Sequence, residues 1–417
     1  MNYDTLMDAI SHTAVGVRSR VRLEPLGGAG DKLFPPTYAV ERGAETRYAT
    51  EKRRIDGSDV DCVLLDSVAS QANRRELALL EATRRGEVSV PLVSVDFRGT
   101  SVAYLDRVSS LEAPHRVFDA LLRDSLLDGV MFRLSTIGRA VTEANSRNAA
   151  ALLRWAPTTL LFGGWDSTGP RGGLGSKYER AITAEVVGVN ARTGVKTASR
   201  IDPAGIERSV LVYESLEGDW TTYESEARKE KGAAVLFKAG GDQAAGRPSQ
   251  INHGNVTPSI DATAGGVTVD HADATTVISF MALRKLRFPA DAEGVQFASE
   301  ASRATAEEAA WAVLAALGVT ASVLAFDDGF DLRSRCALVP TSVPEFELRQ
   351  RDGSVETFKV DREAAVRLLT DAVEAVRRAG LAWEDEEVLL QPAARLVDLI
   401  ARSHEPAVAE PERQVAD

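Results

Sequence analysis

The chain has 417 residues, of which 44% are hydrophobic and 26% charged, and its formal net charge is −12. This composition excludes collagen-like, coiled-coil and disulfide-rich proteins, and it leaves a globular α/β or α+β chain with enough apolar residues for a large core. The two cysteines, Cys62 and Cys336, are too few for a disulfide framework or a cysteine zinc site.

Signals for export and membrane insertion are missing from the sequence. No uninterrupted run of 18 apolar residues occurs, and aspartates stand near the N-terminus where a signal peptide would carry basic residues. We therefore expect a cytosolic protein that does not contact a membrane.

Acidic residues are concentrated in the second half of the chain. Residues 1–212 hold 28 Lys and Arg against 26 Asp and Glu, whereas residues 213–417 hold 21 against 35. Within residues 131–212 the balance is 11 basic against 6 acidic residues. An acidic chain is not typical of a nucleic-acid binder, but the basic stretch leaves that function open.

Hydrophobic periodicity predicts alternating helices and strands in the first half. A helix at 2–12 precedes a strand at 15–23, in which apolar residues alternate with Arg18, Arg20 and Arg22, so that one face is basic. Further elements are predicted at 62–84 (helix, ended by Gly86), 88–97 (strand), 114–127 and 139–153 (helices), 163–175 (glycine-rich loop), 179–189 and 195–201 (strands).

The second half is less regular. Residues 240–259 are expected to form a long exposed loop, and an apolar strand is predicted at 275–286. A helix at 304–317 is expected to end at Gly318, before strands between 320 and 360 with a turn at 351–353. Asp361 is expected to cap a helix that ends at Gly380. Residues 403–417 are expected to form a disordered acidic tail.

The helix predicted from residue 62 carries a polar face of hydroxyl, amide and guanidinium groups. Such groups suit hydrogen bonding to phosphate, sugar or base edges, although spacing alone favours an ordinary solvated face. Glu76 falls among the apolar residues, and we expect it to be a partly buried partner of an arginine. The polar face consists of Ser67, Ser70, Gln71 and Arg74.

The densest cluster of candidate binding residues lies at 161–180. Its six glycines would let backbone N–H groups approach an anion, while its cations supply charge and its aromatic side chains supply stacking faces. The glycine spacing matches neither a Walker A loop nor an esterase elbow, and we favour a binding loop over a purely structural turn. Its polar and aromatic members are Trp165, Ser167, Thr168, Arg171, Lys177, Tyr178 and Arg180.

Catalytic patterns are weak by comparison. Ser199 and Arg200 lie on a predicted half-exposed strand after the glycine-rich loop. The five histidines are scattered, and no paired-carboxylate, Cys/His or Ser/His arrangement stands out. No catalytic residue, metal or cofactor is predicted.

Several composite motifs, in their order along the chain, closely resemble the RAMP-superfamily backbone subunit (Cas seven family) of the type I-G, formerly I-U, CRISPR Cascade complex. The resemblance spans about residues 15–340. Its motifs lie at residues 64–74, which include Asn73, and at 162–180, 198–203, 265–270, 282–288 and 332–336.

The resemblance implies an α+β fold, namely a modified RRM-like (ferredoxin-like) βαββαβ palm with large insertions that include a thumb-like excursion. Residues 1–402 would form a single elaborated RRM-like domain, with insertions at about 27–61 and 213–265.

The resemblance further implies a non-catalytic subunit whose copies polymerise along a CRISPR RNA and hold its spacer for pairing with target DNA. Other implied partners are a large subunit, an RNA-processing and end-capping subunit, and a recruited helicase–nuclease. Stacking aromatics and hydroxyl, amide and arginine groups suit single-stranded RNA. The RNA-binding candidates are Arg18, Arg20, Ser67, Ser70, Gln71, Asn73, Arg74, Trp165, Ser167, Thr168, Arg171, Lys177, Tyr178, Arg180, Ser199 and Arg200.

Two other functions stay open. Related type III backbone subunits cut target RNA with a loop aspartate, and a metal-dependent ribonuclease of that kind would use Asp31, Asp56, Asp59 or Asp61 here. A nucleotide-dependent phosphotransferase built on residues 163–175 is the third candidate.

Overall fold

The computed structural model describes residues 1–41, 43–169, 175–239 and 244–404. Its α-helices are α1 (Tyr3–Asp8), α2 (Val68–Arg84), α3 (Ala120–Arg123), α4 (Thr136–Glu143), α5 (Ala150–Trp155), α6 (Pro157–Phe162), α7 (Phe280–Leu283), α8 (Glu300–Asp327), α9 (Arg362–Arg378) and α10 (Ala394–Ser403). Among the remaining segments, Ala9–Thr13 is a π-helical turn after α1, and Arg116–Phe118 and Phe132–Leu134 are 3₁₀ turns.

The strands of the first half are β1 (Ala14–Pro25), β2 (Thr50–Ile55), β3 (Ser58–Asp66), β4 (Val93–Asp96), β5 (Arg107–Ser109), β6 (Ser125–Leu127), β7 (Val130–Met131), β8 (Gly164–Trp165), β9 (Lys177–Tyr178), β10 (Ile182–Val189), β11 (Arg192–Thr193) and β12 (Lys196–Arg200). Those of the second half are β13 (Tyr213–Glu214), β14 (Trp220–Thr221), β15 (Lys229–Glu230), β16 (Ala233–Ala234), β17 (Val256–Asp261), β18 (Val267–Thr268), β19 (His271–Ser279), β20 (Phe330–Arg333), β21 (Cys336–Pro340), β22 (Phe346–Gln350), β23 (Val355–Phe358) and β24 (Val388–Pro392).

A nine-stranded antiparallel sheet is the centre of the larger of two compact units, which comprises Met1–Pro36, Ala49–Arg192 and Thr268–His404. The central strands lie in the order β22-β1-β19-β10, with α2 between β1 and β10 in sequence and α8 between β19 and β22. This is the βαββαβ arrangement of a ferredoxin-like palm, and the predicted α+β class is confirmed.

Helices cover one face of this sheet. On β1 the side chains of Val17, Val21 and Leu23 are buried, while the intervening arginines face away from the core. Helix α8 lies against β19 at Gly318, where an added Cβ would come within 3.1 Å of Ile278. The predicted helix end at Gly318 is therefore wrong, because the glycine permits close helix–sheet packing inside a continuous helix.

Among the described residues, helix α8 has the length and apolar composition to cross a membrane, with a mean hydropathy of 2.0. Of its most apolar stretch, 83% is buried inside the protein. Burial of this kind is what a core helix shows.

Other predicted elements differ in type. Residues 62–66, which were predicted to begin a helix, belong to β3. The prediction is wrong here because a short apolar run does not distinguish a buried strand from a helix. The helix predicted at 114–127 is interrupted at Arg116, whose φ of +53° is left-handed, so that only α3 is α-helical there. The strand predicted at 275–286 ends at Ser279, whose side chain caps α7.

The remaining predictions are a mixture of confirmed elements and shortened ones. The helix at 139–153 is two helices, α4 and α5, and the strand at 88–97 is reduced to β4. Within the long loop predicted at 240–259, residues 240–243 lie outside the described residues, and β17 begins at Val256. The opening helix, β1, β10, β12, the turn at 351–353 and the Asp361 cap of α9 are confirmed. The tail beyond residue 404 lies outside the described residues.

The smaller unit contains Thr37–Tyr48 and Thr193–Val267. It includes the two-stranded ribbon β12–β17, in which Lys196 is paired with Asp261. The insertion predicted at 213–265 lies within this unit, and the one at 27–61 contributes residues 37–48 to it. That one of the insertions is a thumb-like excursion stays a prediction.

Both cysteines lie in the sheet and are free thiols, Cys62 on β3 and Cys336 on β21. Each side chain is buried. Burial raises the pKa of the Cys336 thiol to about 11.

A buried carboxylate at the end of β3 joins three elements of the larger unit. Asp66 is fully buried, and its oxygens accept hydrogen bonds from Gln71 (2.7 Å) and Arg74 (2.9 Å) of α2 and from Arg333 (3.3 Å) of β20. The same arginines donate to backbone carbonyls, Arg74 to Leu332 and Arg333 to Leu65. Two guanidinium groups thus compensate one buried charge.

Replacing Asp66 by Ala should destabilise the protein strongly, because two arginines would lose their counter-charge. We expect the free energy of unfolding to fall by about 3–5 kcal/mol in urea titrations. Asp61→Ala on the same strand is the matched control, since its pair with Lys52 is exposed and should contribute at most about 1 kcal/mol. Equal losses in the two variants would show that the Asp66 cluster has no special role.

Candidate nucleic-acid interface

The open face of the sheet is lined with arginines, two of which form ion pairs. Arg18 of β1 pairs with Glu347 of β22, and Arg20 pairs with Asp273 of β19 at 2.6 Å. The side chain of Arg22 makes no hydrogen bond or ion pair with any residue that the structure describes. The Arg18–Glu347 pair is partly exposed and should stabilise the fold by only about 0–1 kcal/mol, so a phosphate group can displace Glu347 at little cost, whereas Asp273 is buried.

This face differs from the stacking platform of an RRM. An RRM presents aromatic side chains on the two central strands of its sheet. The corresponding positions of β1 and β19 carry Arg18, Arg20, Thr275 and Val277. The open face can therefore hold a nucleic-acid backbone by charge, but not bases by aromatic stacking.

An aromatic and cationic pair lies at the end of the sheet, on the hairpin formed by β8 and β9. Trp165 and Lys177 are opposite each other in the hairpin, and the ammonium group of Lys177 lies 4.4 Å from the centre of the indole ring. Trp165 is 44% exposed. The hairpin thus presents a π face and a positive charge together. Proteins that bind single-stranded nucleic acid combine these two groups.

Tyr178 was expected to supply a second stacking face, and that expectation is wrong. Its ring is buried and stacks on Phe118, with the ring centroids 6.3 Å apart and nearly parallel. Burial also raises the pKa of its hydroxyl group. Successive side chains of a strand point to opposite faces. Since Tyr178 points into the protein, its neighbour Lys177 points outward.

The other predicted residues of the glycine-rich segment are mostly at the surface. Ser167, Thr168 and Arg180 are exposed, whereas Arg171 lies outside the described residues. Beside the hairpin a cleft of about 550 Å³ has an apolar floor that includes Leu160 and Leu286. It is also lined by Lys177 and by the ion pair of Lys285 with Glu179, so charged and apolar side chains share the cleft.

The polar face predicted on α2 is largely directed into the protein. Gln71 is buried and Arg74 is held by Asp66 and by backbone carbonyls, so the expectation that both bind RNA is corrected: they stabilise the fold. Ser67 caps the helix by accepting a hydrogen bond from the backbone N–H of Ser70 at 3.3 Å. Asn73 is exposed and stays a candidate.

Arg200 also has an internal role. In the smaller unit its guanidinium group donates to the backbone carbonyls of His253 (3.0 Å) and Gly254 (3.1 Å). The role predicted for Arg200 in RNA binding stays a prediction. The neighbouring Ser199 is exposed on β12.

The base of the hairpin is anchored by a buried ion pair. Arg116 donates to both carboxylate oxygens of Glu76, at 2.6 and 2.8 Å, and also to the backbone carbonyl of Gly163 at 2.9 Å. The expectation that Glu76 has a buried arginine partner is confirmed. Burial raises the pKa of Glu76 to about 7, against the opposing effects of Arg116 and Arg180.

The aspartates of the ribonuclease alternative are not gathered into a site. Asp59 and Asp61 pair with Arg54 and Lys52 across the β2–β3 hairpin, and Asp56 occupies its turn. Asp31 accepts a hydrogen bond from the backbone of the next residue. Within the described ranges, no group of three or more His, Cys, Asp or Glu residues is placed to hold a metal ion.

Residues 17–193 match the family model of CRISPR-associated protein GSU0053 (Cas_GSU0053). This match supports the assignment of the chain as a CRISPR-associated protein. The matched segment, somewhat under half of the chain, begins in β1, includes α2 and the β8–β9 hairpin, and ends at β11. It therefore contains the arginine row of β1, the Asp66 cluster on its α2 side and the Trp165–Lys177 pair. The curated proteins give no match.

Some residues of the interface are not apparent from the sequence. Lys285 follows a short apolar helix. Arg53 lies in the polar stretch before β3, and its guanidinium group pairs with Glu185 on the open face at 2.6 Å. In the sequence, the alternation of polar and apolar residues in β10 indicates that Glu185 faces away from the core. For Lys285 the basic run at 284–287 was the signal.

The Glu76 pair should make stability depend on pH. Because the pKa of Glu76 in the folded protein lies above its value of 4.5 in the unfolded chain, its contribution to stability is full below about pH 4.5 and is lost as the pH rises through 7. Relative to Glu76→Gln, the wild type should lose up to about 3 kcal/mol between pH 5 and 8 in urea titrations.

The exposed Glu81 on the same helix provides the control, because Glu81→Gln removes a carboxylate that is not buried. A pH-independent difference between Glu76→Gln and the wild type would mean that Glu76 is ionised throughout and would contradict the prediction.

Proposed function

We propose that the protein is an RNA-binding backbone subunit of a CRISPR surveillance complex of the type I-G Cascade class, a member of the RAMP superfamily. Copies of it would line up along the CRISPR RNA in the cytoplasm, with the large subunit, the RNA-processing and end-capping subunit and the recruited helicase–nuclease as further partners. Its part would be binding rather than catalysis.

The observation that carries this proposal is the exposed Trp165–Lys177 pair on a glycine-rich hairpin at the end of a ferredoxin-like sheet. Stacking on Trp165 would accept any base, and Lys177 would meet the backbone. A guide carrier needs this indifference to sequence, because base pairing with the target reads the sequence. The CRISPR-associated family match over the same segment supports the proposal independently of the geometry.

The arginines of β1 extend the proposed path of the RNA. Arg18, Arg20 and Arg22 follow each other at alternate positions and so recur about every 6.7 Å along one face of the strand. Arg18 would exchange its partly exposed partner Glu347 for a phosphate on binding. Binding should therefore be sensitive to salt, although the whole chain is acidic.

The test begins with co-expression of the protein, the other Cascade subunits and a CRISPR array, followed by extraction of the bound nucleic acid. We expect a particle with several copies of the chain that protects RNA containing spacer sequence. A chain free of nucleic acid in the presence of these partners would overturn the proposal. Cleavage of complementary RNA, lost on Asp→Ala substitution at position 31, 56, 59 or 61, would favour the ribonuclease instead.

Trp165→Ala should weaken binding of single-stranded RNA by about 1–3 kcal/mol, and Trp165→Phe should restore much of the loss, because a stacking face is retained. Lys177→Ala should weaken binding at every sequence and reduce the slope of log K against log salt by about 0.7. Fluorescence anisotropy at several salt concentrations would measure both effects.

Lys359→Ala is the matched control for Lys177, because Lys359 is an exposed lysine of the larger unit that pairs with Glu345 and is not in the hairpin. Its salt slope should equal that of the wild type. Equal slopes for Lys177→Ala and the wild type would exclude Lys177 as a phosphate contact.

A further inference from the structure

The glycine-rich segment has two limbs, residues 164–169 and residues 175–178. Both limbs are bonded to helix α4 or to the turn before it. From the first limb, Asp166 forms an ion pair with Arg133, which belongs to the turn Phe132–Leu134. From the second limb, Ser176 donates to the carbonyl of Ala144, which follows α4, at 2.9 Å. One short helix thus fixes both ends of the segment that carries Trp165 and Lys177.

Two nitrogens of the Arg133 guanidinium group are bonded inside the protein. One nitrogen contacts the Asp166 carboxylate and also the Thr168 hydroxyl at 3.2 Å, and another donates to the Thr168 carbonyl at 2.5 Å. The side chain of Arg133 is only 16% exposed, and that of Asp166 is almost completely buried. Such a group is poorly placed to reach a phosphate itself.

Close backbone packing holds Asp166 from the other side. The Asp166 N–H donates to the Ser176 carbonyl, and a Cβ at Gly175 would lie 1.9 Å from the Asp166 carbonyl oxygen. At Gly169 a Cβ would lie 2.5 Å from the carboxylate of Asp166. Glycine at 169 and 175 therefore allows the backbone to close around Asp166, and Arg133 supplies the opposing charge.

The turn that carries Arg133 is closely packed against the start of α4. Ser135 caps α4 by accepting a hydrogen bond from the Gly138 N–H at 3.1 Å. At Gly138 a Cβ would overlap the carbonyl of Phe132, so the helix begins in direct contact with the turn. The position of Arg133 is thus determined by the fold and not by the loop that it holds.

We propose that Arg133 is a positioning residue for RNA binding: through Asp166 and Thr168 it holds the Trp165–Lys177 hairpin in its binding geometry without touching the RNA. The inference rests on the proposed function. Its physical basis is preorganisation, because a hairpin that is already ordered loses less conformational entropy when RNA binds.

The decisive variant is the double substitution Arg133→Met with Asp166→Asn. Removing both charges avoids an unpaired buried carboxylate, so the variant should keep its thermal midpoint near that of the wild type. Its affinity for single-stranded RNA should fall about tenfold, the effect of leaving one or two side chains to be ordered on binding. The salt slope should stay at the wild-type value, because no phosphate contact is lost.

Arg139→Met is the control for loss of charge. Arg139 is exposed on α4, one turn beyond the capped end, and belongs to neither limb contact. Its affinity should change less than twofold. Hydrogen exchange without RNA should show faster exchange at residues 164–169 and 175–178 in the double variant only.

Each outcome has one meaning. A double variant that binds RNA as tightly as the wild type would overturn the positioning role of Arg133. A salt slope reduced by about 0.7 would overturn it too, because Arg133 would then be a phosphate contact. A folded wild type that binds no RNA would overturn the proposed function, and the inference would fall with it.

Discussion

A fully buried carboxylate, that of Asp66, holds three elements of the larger unit together. A charge without partners at that depth would cost several kcal/mol, so the chain must bring guanidinium groups to it. Arg74 and Arg333 come from α2 and β20, and their remaining donors close on backbone carbonyls. The helix, the end of β3 and the outer strand are therefore fixed relative to one another by one anion. Gln71 and Arg74, which resemble part of a binding face in the sequence, are therefore bonded to Asp66.

Sequence patterns predicted the parts of the fold that depend on local physics. The alternation in β1, the Asp361 cap of α9 and the turn at 351–353 all follow from side-chain period or backbone preference within a few residues. The inward direction of Gln71 and Tyr178 depends on Asp66 and Phe118 and could not be read locally. Glu76 was intermediate: an acid among apolar residues indicated a buried cation, but only the fold identifies Arg116.

The candidate interface combines weak exposed ion pairs with strong buried ones. On the open face, Arg18 is held by a partly exposed partner, Glu347, that a phosphate can replace. Below the hairpin, Glu76 with Arg116 and Asp166 with Arg133 are shielded from water and fix the backbone. The first class of pair can respond to a ligand, while the second keeps the geometry constant. An acidic chain can in this way present a local surface for an anionic polymer.

The burial of both thiols has a practical consequence. Cys62 and Cys336 are enclosed by the sheet, and the raised pKa of Cys336 leaves little thiolate at neutral pH. Maleimide reagents should leave both native cysteines unmodified while the protein is folded. A cysteine introduced at Ser167, which is exposed beside Trp165, would then take up a fluorophore selectively in an otherwise natural chain. The same chemistry reports unfolding, because labelling of the native thiols would mark the molecules that have opened.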